Sequence, residues 1–328
     1  MERVRLGRSS LEVTRLGLGT APLGGLFEPV SDSDAEATIA TAWSHGVRFF
    51  DTAPLYGFGL AEQRLGAFLR KQPRDNYVLS TKVGRLLRPD VGAPREDPHY
   101  KGTPPLRPRF DYSYDGVMRS VEESLVRLGL DRIDILLVHD PDDHYDEAVA
   151  GAFRALQRLR DDGSIKAIGA GMNQSEMLAR FADAAPVDCF LLAGRYTLLD
   201  QGALTTLFPI CTRKNIAILL GGIYNSGILA NPHGQAKFNY EDADASLVAR
   251  ARALDALCKQ HGIALKAAAI QFCLAHPAVT IGLQGARTAQ EAADNIAMAH
   301  APIPAAFWHA LRASQLIDAH APLPGEAR

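Results

Sequence analysis

Val47-Arg48-Phe49-Phe50-Asp51-Thr52-Ala53-Pro54-Leu55-Tyr56-Gly57 is the stretch on which the reading of this chain turns. An apolar, strand-like run ends on an acid, and a short proline-containing turn then presents a tyrosine. A carboxylate buried at a strand end takes up a proton unless a cation stands beside it. A tyrosine is a poor acid or base at neutral pH unless a cation favours its phenolate. One lysine at a neighbouring strand end would serve both. Asn76-Tyr77-Val78-Leu79-Ser80-Thr81-Lys82 supplies it, a second strand-like run ending on lysine. Taken alone, the stretch reads equally well as a buried Asp capping a turn beside a surface Tyr.

The segments on either side repeat the beat of strand and helix. Upstream, Arg3-Val4-Arg5-Leu6 and Leu11-Glu12-Val13-Thr14 flank Gly7-Arg8-Ser9-Ser10 and read as a hairpin. The first strand of the repeat follows at Arg15-Leu16-Gly17-Leu18-Gly19-Thr20. Its Gly17-x-Gly19 is not a dinucleotide fingerprint, because Pro22 takes the third glycine's place and no helix opens there. Ser31 to Asp34 caps a helix reaching about His45, and Ala61 to Lys71 is helical. Gly84 to Tyr112, rich in Pro, Gly and Arg, reads as a long loop and a candidate lid.

Downstream, Asp115 to Gly129 is amphipathic, and Asp134-Ile135-Leu136-Leu137-Val138-His139 is an apolar strand ending on histidine. Strands at Ile165–Gly169, Val187–Leu192, Ile216–Leu220 and Ala278–Leu283 alternate with helices at 147–161, 175–183, 203–214, 245–260, 265–275 and 288–298. A further helix is expected over Pro304–Ala319. Eight strands without strict alternation, each followed by a helix, predict a single (β/α)8 TIM barrel domain over 1–328, with an N-terminal hairpin and extra C-terminal helices. Such a barrel gathers Asp51, Lys82 and His139 at one face, with Tyr56 just past a strand end.

Composition narrows the class. The chain has 328 residues, 47% hydrophobic and 22% charged, with a formal net charge of −2, so it can bury a large core and lacks a basic nucleic-acid footprint. Its four cysteines form no CxxC pair, which argues against a zinc site or disulfide framework and fits reduced cytoplasmic thiols. No apolar run reaches membrane-spanning length, and no leader-like segment follows Met1. A metal, a membrane, a nucleic acid and an obligate protein partner are all unexpected; a small-molecule substrate is expected.

Asp51, Tyr56, Lys82 and His139, in this order within an eight-fold β/α repeat, resemble the catalytic tetrad of the aldo-keto reductase superfamily. The resemblance runs from the N-terminal hairpin to about His300. It implies hydride transfer between a nicotinamide and a carbonyl carbon, with Tyr56 as acid or base, Lys82 and Asp51 supporting it, and His139 orienting the oxygen. Asn173 stands where the family binds the nicotinamide carboxamide, and Leu220 where it has a stacking aromatic. Gly221-Gly222-Ile223-Tyr224-Asn225-Ser226-Gly227 resembles the family's pyrophosphate loop. Gly285, Arg287, Glu291 and Asn295 fall in its adenosine-binding segment. Glu291, in the place of an arginine common in NADP-preferring members, implies NAD, with NADP possible through Arg287.

Gly24-Gly25-Leu26-Phe27, His139-Asp140-Pro141-Asp142 and Arg195-Tyr196-Thr197-Leu198-Leu199-Asp200 are similar to a branch that contains D-threo-aldose (L-fucose), L-galactose and pyridoxal dehydrogenases. This resemblance implies oxidation of an aldose at C1, with L-fucose, L-galactose or D-arabinose as substrate and a lactone as product. Arg109 and Asp140 are the expected substrate contacts. Pyridoxal oxidation and general aldehyde reduction would use the same tetrad, and a cofactor-sensing regulatory subunit is the non-enzymatic alternative.

Overall fold

Eight parallel strands close on themselves in chain order: β1 Leu16–Gly19, β2 Phe49–Asp51, β3 Val78–Val83, β4 Ile135–His139, β5 Ala167–Met172, β6 Cys189–Ala193, β7 Ala217–Gly221 and β8 Val279–Gly285. The ring is sealed where Gly282 of β8 registers with Leu16 of β1. The computed structural model describes residues 1–90, 97–234, 237–239 and 241–326. No helix among the described residues is long and apolar enough to cross a membrane. The four cysteines are free and buried.

Each strand is apolar on both sides because each side meets a different core. Phe49, Val78, Ile135, Leu137, Leu219 and Ile281 fill the barrel interior, whereas Phe50, Leu79, Leu136, Val138, Ile168 and Leu220 pack under the helices. A period of two is therefore present in direction but hidden in hydrophobicity. The hairpin, Arg3–Arg5 against Glu12–Thr14, is antiparallel as expected. Its Leu6 and Val13 join the interior cluster and so close the end of the barrel away from the strand C-termini.

Helix boundaries follow local chemistry. Ser31 accepts from the Asp34 N–H to start the Asp32–Ser44 helix. Ser113 caps Tyr114–Leu128, which Gly129 ends at φ 62°. The expected 203–214 helix is broken into Ala203–Thr206 and Phe208–Lys214, since Pro209 has no N–H to continue the ladder. The terminal helix is shorter than expected, Ala305–Ala313 with Pro304 before it.

The Gly84–Tyr112 segment is not a plain loop. Arg85–Pro89 and Leu106–Phe110 form an antiparallel ribbon, with Arg85 opposite Phe110 and Leu87 opposite Pro108. Both strands of a two-stranded ribbon are edges, so Pro108 is tolerated there, and its presence masks the strand in the sequence. Lid positions 91–96 lie outside the described residues.

Candidate active site

The direction of the last residue in each strand decides what the barrel mouth contains. Following the alternation from the interior cluster, the inward positions at the C-terminal ends are Gly19, Asp51, Lys82, His139, Gly171, Ala193, Gly221 and Gly285. Three adjacent strands, β2 to β4, carry acid, base and imidazole. The other five carry glycine or alanine.

Lys82 is almost fully buried and uses all three of its ammonium donors. Nζ donates to Asp51 Oδ1 at 2.6 Å, to the Thr52 carbonyl at 2.9 Å and to Tyr56 Oη at 3.0 Å. Burial pushes the Asp51 carboxyl up, and Lys82 opposes that shift. The pair is a charged unit with one direction left open, toward Tyr56. An ammonium so placed favours the phenolate of that tyrosine.

Tyr56 is held by its neighbours in sequence. Gly57 (φ 61°) and Gly24 cross backbone against backbone; a Cβ on Gly57 would lie 2.2 Å from the Gly24 carbonyl oxygen. No larger residue permits that approach, so the turn carrying Tyr56 is pinned to the loop after β1. On the opposite face of β3, Thr81 Oγ1 donates to Glu62 at 2.8 Å, and Arg127 Nε donates to its other oxygen at 2.5 Å. This second buried ion pair has no opening to the mouth, and it fixes the helix that follows Tyr56.

His139 lies edge-on to Tyr56, with ring centroids 5.9 Å apart. Burial, and then the cations Arg85 and Lys82, push its imidazole well below the ordinary histidine range, so it is neutral at pH 7. Its Nδ1 is buried without a hydrogen-bond partner among the described residues. Its Nε2 lies 3.5 Å from Asp140 Oδ2. A cavity of about 320 Å³ opens over these groups, lined by Tyr56, Lys82, His139, Asp140, Asn173 and, on its apolar side, Leu26 and Tyr100 among others.

The expected site residues divide into groups. Asp51, Tyr56, Lys82 and His139 come together, and Asp140 and Asn173 join them at the cavity. Arg109 does not: it is exposed on the ribbon, opposite Leu86, and does not line the cavity. Of the two ribbon strands, Arg85 at the base is the residue that lines the cavity, and it pairs with Asp140 at 2.6 Å. Leu220 cannot stack on a cofactor, because it is fully buried and points into the helix layer. The inward position beside it is Gly221, and a one-residue shift on a strand reverses the face.

Residues that sequence reasoning left unassigned are Arg85, Asp142, Gln174 and Tyr100, all lining the cavity. Asp142 carried a signal, sitting two residues past Asp140. Arg85 carried none, since its direction depends on the ribbon.

The glycine side of the mouth is open at two of its positions. A Cβ on Gly19 would meet nothing nearer than the Gln284 carbonyl at 4.0 Å, and one on Gly221 nothing nearer than Leu191 Cδ2 at 3.5 Å. Beyond β7, Gly222, Asn225, Ser226 and Gly227 all have positive φ. Asn225 Nδ2 donates to the Gly194 carbonyl at 3.1 Å, while its Oδ1 is buried and unpartnered among the described residues.

At the end of the adjacent strand, the Gly285 carbonyl accepts from Nδ2 of Asn295, in the helix Ala289–His300, at 3.0 Å. Glu291 is engaged in a capping arrangement: Thr288 Oγ1 accepts from its N–H at 3.1 Å, and its carboxylate accepts from the Arg287 N–H at 2.8 Å. The Arg287 guanidinium pairs with Glu28 at 2.7 Å and with Glu291 at 3.4 Å.

Comparison with known proteins agrees with this geometry. The description "Aldo/keto reductase family" matches residues 15–315. The chain is 43% identical to pyridoxal 4-dehydrogenase of Microbacterium luteolum, over 97% of this chain and 98% of that one. It is 41% identical to D-threo-aldose 1-dehydrogenase of a Pseudomonas species, over 94% and 96%. Its fold superposes on the holo form of an aldo-keto reductase from Bacillus halodurans with a TM-score of 0.76, at 24% identity and 99% coverage of both chains.

Proposed function

The chain belongs to the aldo/keto reductase family, and from that premise we propose that it oxidises the ring-form C1 hydroxyl of an aldose to a lactone. The observation that carries the reading is the Lys82 ammonium, spent on Asp51 and the Thr52 carbonyl and aimed at Tyr56. Tyr56 accepts the proton of the C1 hydroxyl as the C1–H bond breaks. Neutral His139 holds the same oxygen and does not compete for the proton. The nicotinamide cofactor, when bound, takes the hydride. Asp51 keeps Lys82 charged and in place throughout. The cavity's polar wall of Asp140, Asp142, Asn173 and Gln174 suits a polyhydroxylated substrate.

A second reading rests on the 43% relative: pyridoxal, whose aldehyde closes on its neighbouring hydroxymethyl, presents the same cyclic hemiacetal group. NAD is the proposed cofactor. Glu28 and Glu291 outnumber Arg287 where an adenosine 2′-phosphate would lie, so the local charge disfavours NADP. The residues proposed to hold the dinucleotide are Asn173, the 221–227 turn, Gly285, Arg287, Glu291 and Asn295.

The test is initial-rate formation of reduced cofactor at alkaline pH with L-fucose, L-galactose, D-arabinose and pyridoxal, each with NAD and NADP, beside initial-rate consumption of NADH and NADPH with simple aldehydes. Oxidation of an aldose with higher kcat/KM for NAD is expected. Failure of every sugar with ready oxidation of pyridoxal moves the assignment to the second reading. Reduction of aldehydes alone removes both.

A further inference from the structure

We propose that Asp140 reads the hydroxyl on the carbon next to the one oxidised, with Arg85 and Tyr112 as the residues that position it. The inference rests on the aldose reading above and names the subsite that selects among its substrates. Asp140 follows His139 directly and has φ 41°, a left-handed backbone that a non-glycine residue adopts only when its surroundings impose it. Three contacts impose it. The Asp140 N–H donates to the Gly171 carbonyl at 3.0 Å, and Tyr112 Oη lies 2.6 Å from the His139 carbonyl and 2.8 Å from that of Asp140. Tyr112 is itself packed over Gly84, where a Cβ would sit 2.2 Å from its ring.

The result is a carboxylate turned back toward the catalytic histidine. Oδ2 lies 3.5 Å from His139 Nε2 and accepts from Arg85 Nη2 at 2.6 Å, while Oδ1 accepts no hydrogen bond from the described residues. The histidine holds the reacting oxygen, so an acceptor at that distance is one hydroxyl spacing away. In a cyclic hemiacetal, C1 has the ring oxygen on one side and the C2 hydroxyl on the other; only the second can donate to a carboxylate. Arg85 already balances the charge of Asp140, so the subsite suits a neutral donor and not a cation. Asp142 lines the same wall of the cavity, two residues further along.

The experiment compares kcat/KM for L-fucose with 2-deoxy-L-fucose, and L-galactose with 2-deoxy-L-galactose, in the wild type, Asp140→Ala, Asp140→Asn, Arg85→Met and Arg85→Lys. A hydrogen bond to a charged acceptor gives the wild type a preference of about 10- to 100-fold for the sugar that bears the C2 hydroxyl. That preference should collapse to within about threefold in both Asp140 variants. It should weaken in Arg85→Met and return in Arg85→Lys. A general loss of activity, or a smaller folded fraction, lowers the rate with both sugars alike and leaves their ratio unchanged. A wild-type preference that survives unchanged in Asp140→Asn overturns this assignment alone. Absence of oxidation of any of these sugars by the wild type overturns both the aldose reading and this assignment.

Discussion

The two halves of the barrel mouth are built from the same repeat and hold opposite things. On β2 to β4 the inward terminal residues are Asp51, Lys82 and His139, all buried, with Asp51 and Lys82 paired. On β5 to β8 and β1 they are Gly171, Ala193, Gly221, Gly285 and Gly19, all small; at Gly19 and Gly221 there is room for a Cβ, whereas Gly285 is closed by Pro22 and Gly171 by Lys82. In the proposed reaction the polar arc acts through the third Lys82 donor, which goes to Tyr56, and the other arc through the room left at Gly19 and Gly221. A site of this kind needs both, and losing either should fail in a different way.

Lys82→Met breaks the polar arc. Turnover should fall by at least about a thousandfold. Asp51, left in the interior without its cation, should cost the fold about 3 kcal/mol in denaturant titrations. NAD binding, followed by fluorescence titration, should change little. Loss of binding equal to the loss of turnover would mean that the two arcs are not separable.

Gly19→Leu tests the other arc. A Cβ at this position meets nothing nearer than 4.0 Å, so stability should be kept while the leucine extends into the proposed cofactor path. The Kd for NAD should rise by about tenfold or more, a loss of about 1.4 kcal/mol, with the Lys82–Tyr56 geometry intact. An unchanged Kd would place the dinucleotide elsewhere.

The smallest effect is on stability against pH. His139 is held neutral in the folded chain, whereas the unfolded chain takes up a proton there below about pH 6.5. The unfolded state then binds more protons, so stability falls as the pH drops below that value, by at most about 1.4 kcal/mol per pH unit. His276, pushed down to about 4 by burial, adds a second such group. His139→Asn should therefore make the acid limb shallower in urea titrations between pH 6.5 and 5 without flattening it. An identical slope would contradict the neutral assignment.

The same division explains what the sequence revealed. Asp51, Lys82 and His139 were legible because a charged residue ending an apolar run is conspicuous, and the barrel period places strand ends together. Tyr56 followed from its distance to Asp51. The glycine arc carried less signal. An empty position looks the same as a tight turn, and a shift of one residue put Leu220 forward where Gly221 faces the mouth. Arg109 was chosen over Arg85 because the segment read as a loop; only the ribbon shows which arginine stands at its base. The capping role of Glu291 was hidden for a similar reason, since Thr288-x-x-Glu291 serves the helix start as well as any ligand.

The most direct test of the central claim is Tyr56→Phe, which deletes one oxygen and keeps the ring. Single-turnover formation of reduced cofactor with the best aldose, beside Tm and the Kd for NAD, separates chemistry from folding and binding. Turnover lower by about two to four orders of magnitude, with Tm and Kd unchanged, is the expected result. Near-wild-type turnover in the folded variant would contradict Tyr56 as the group that takes the proton.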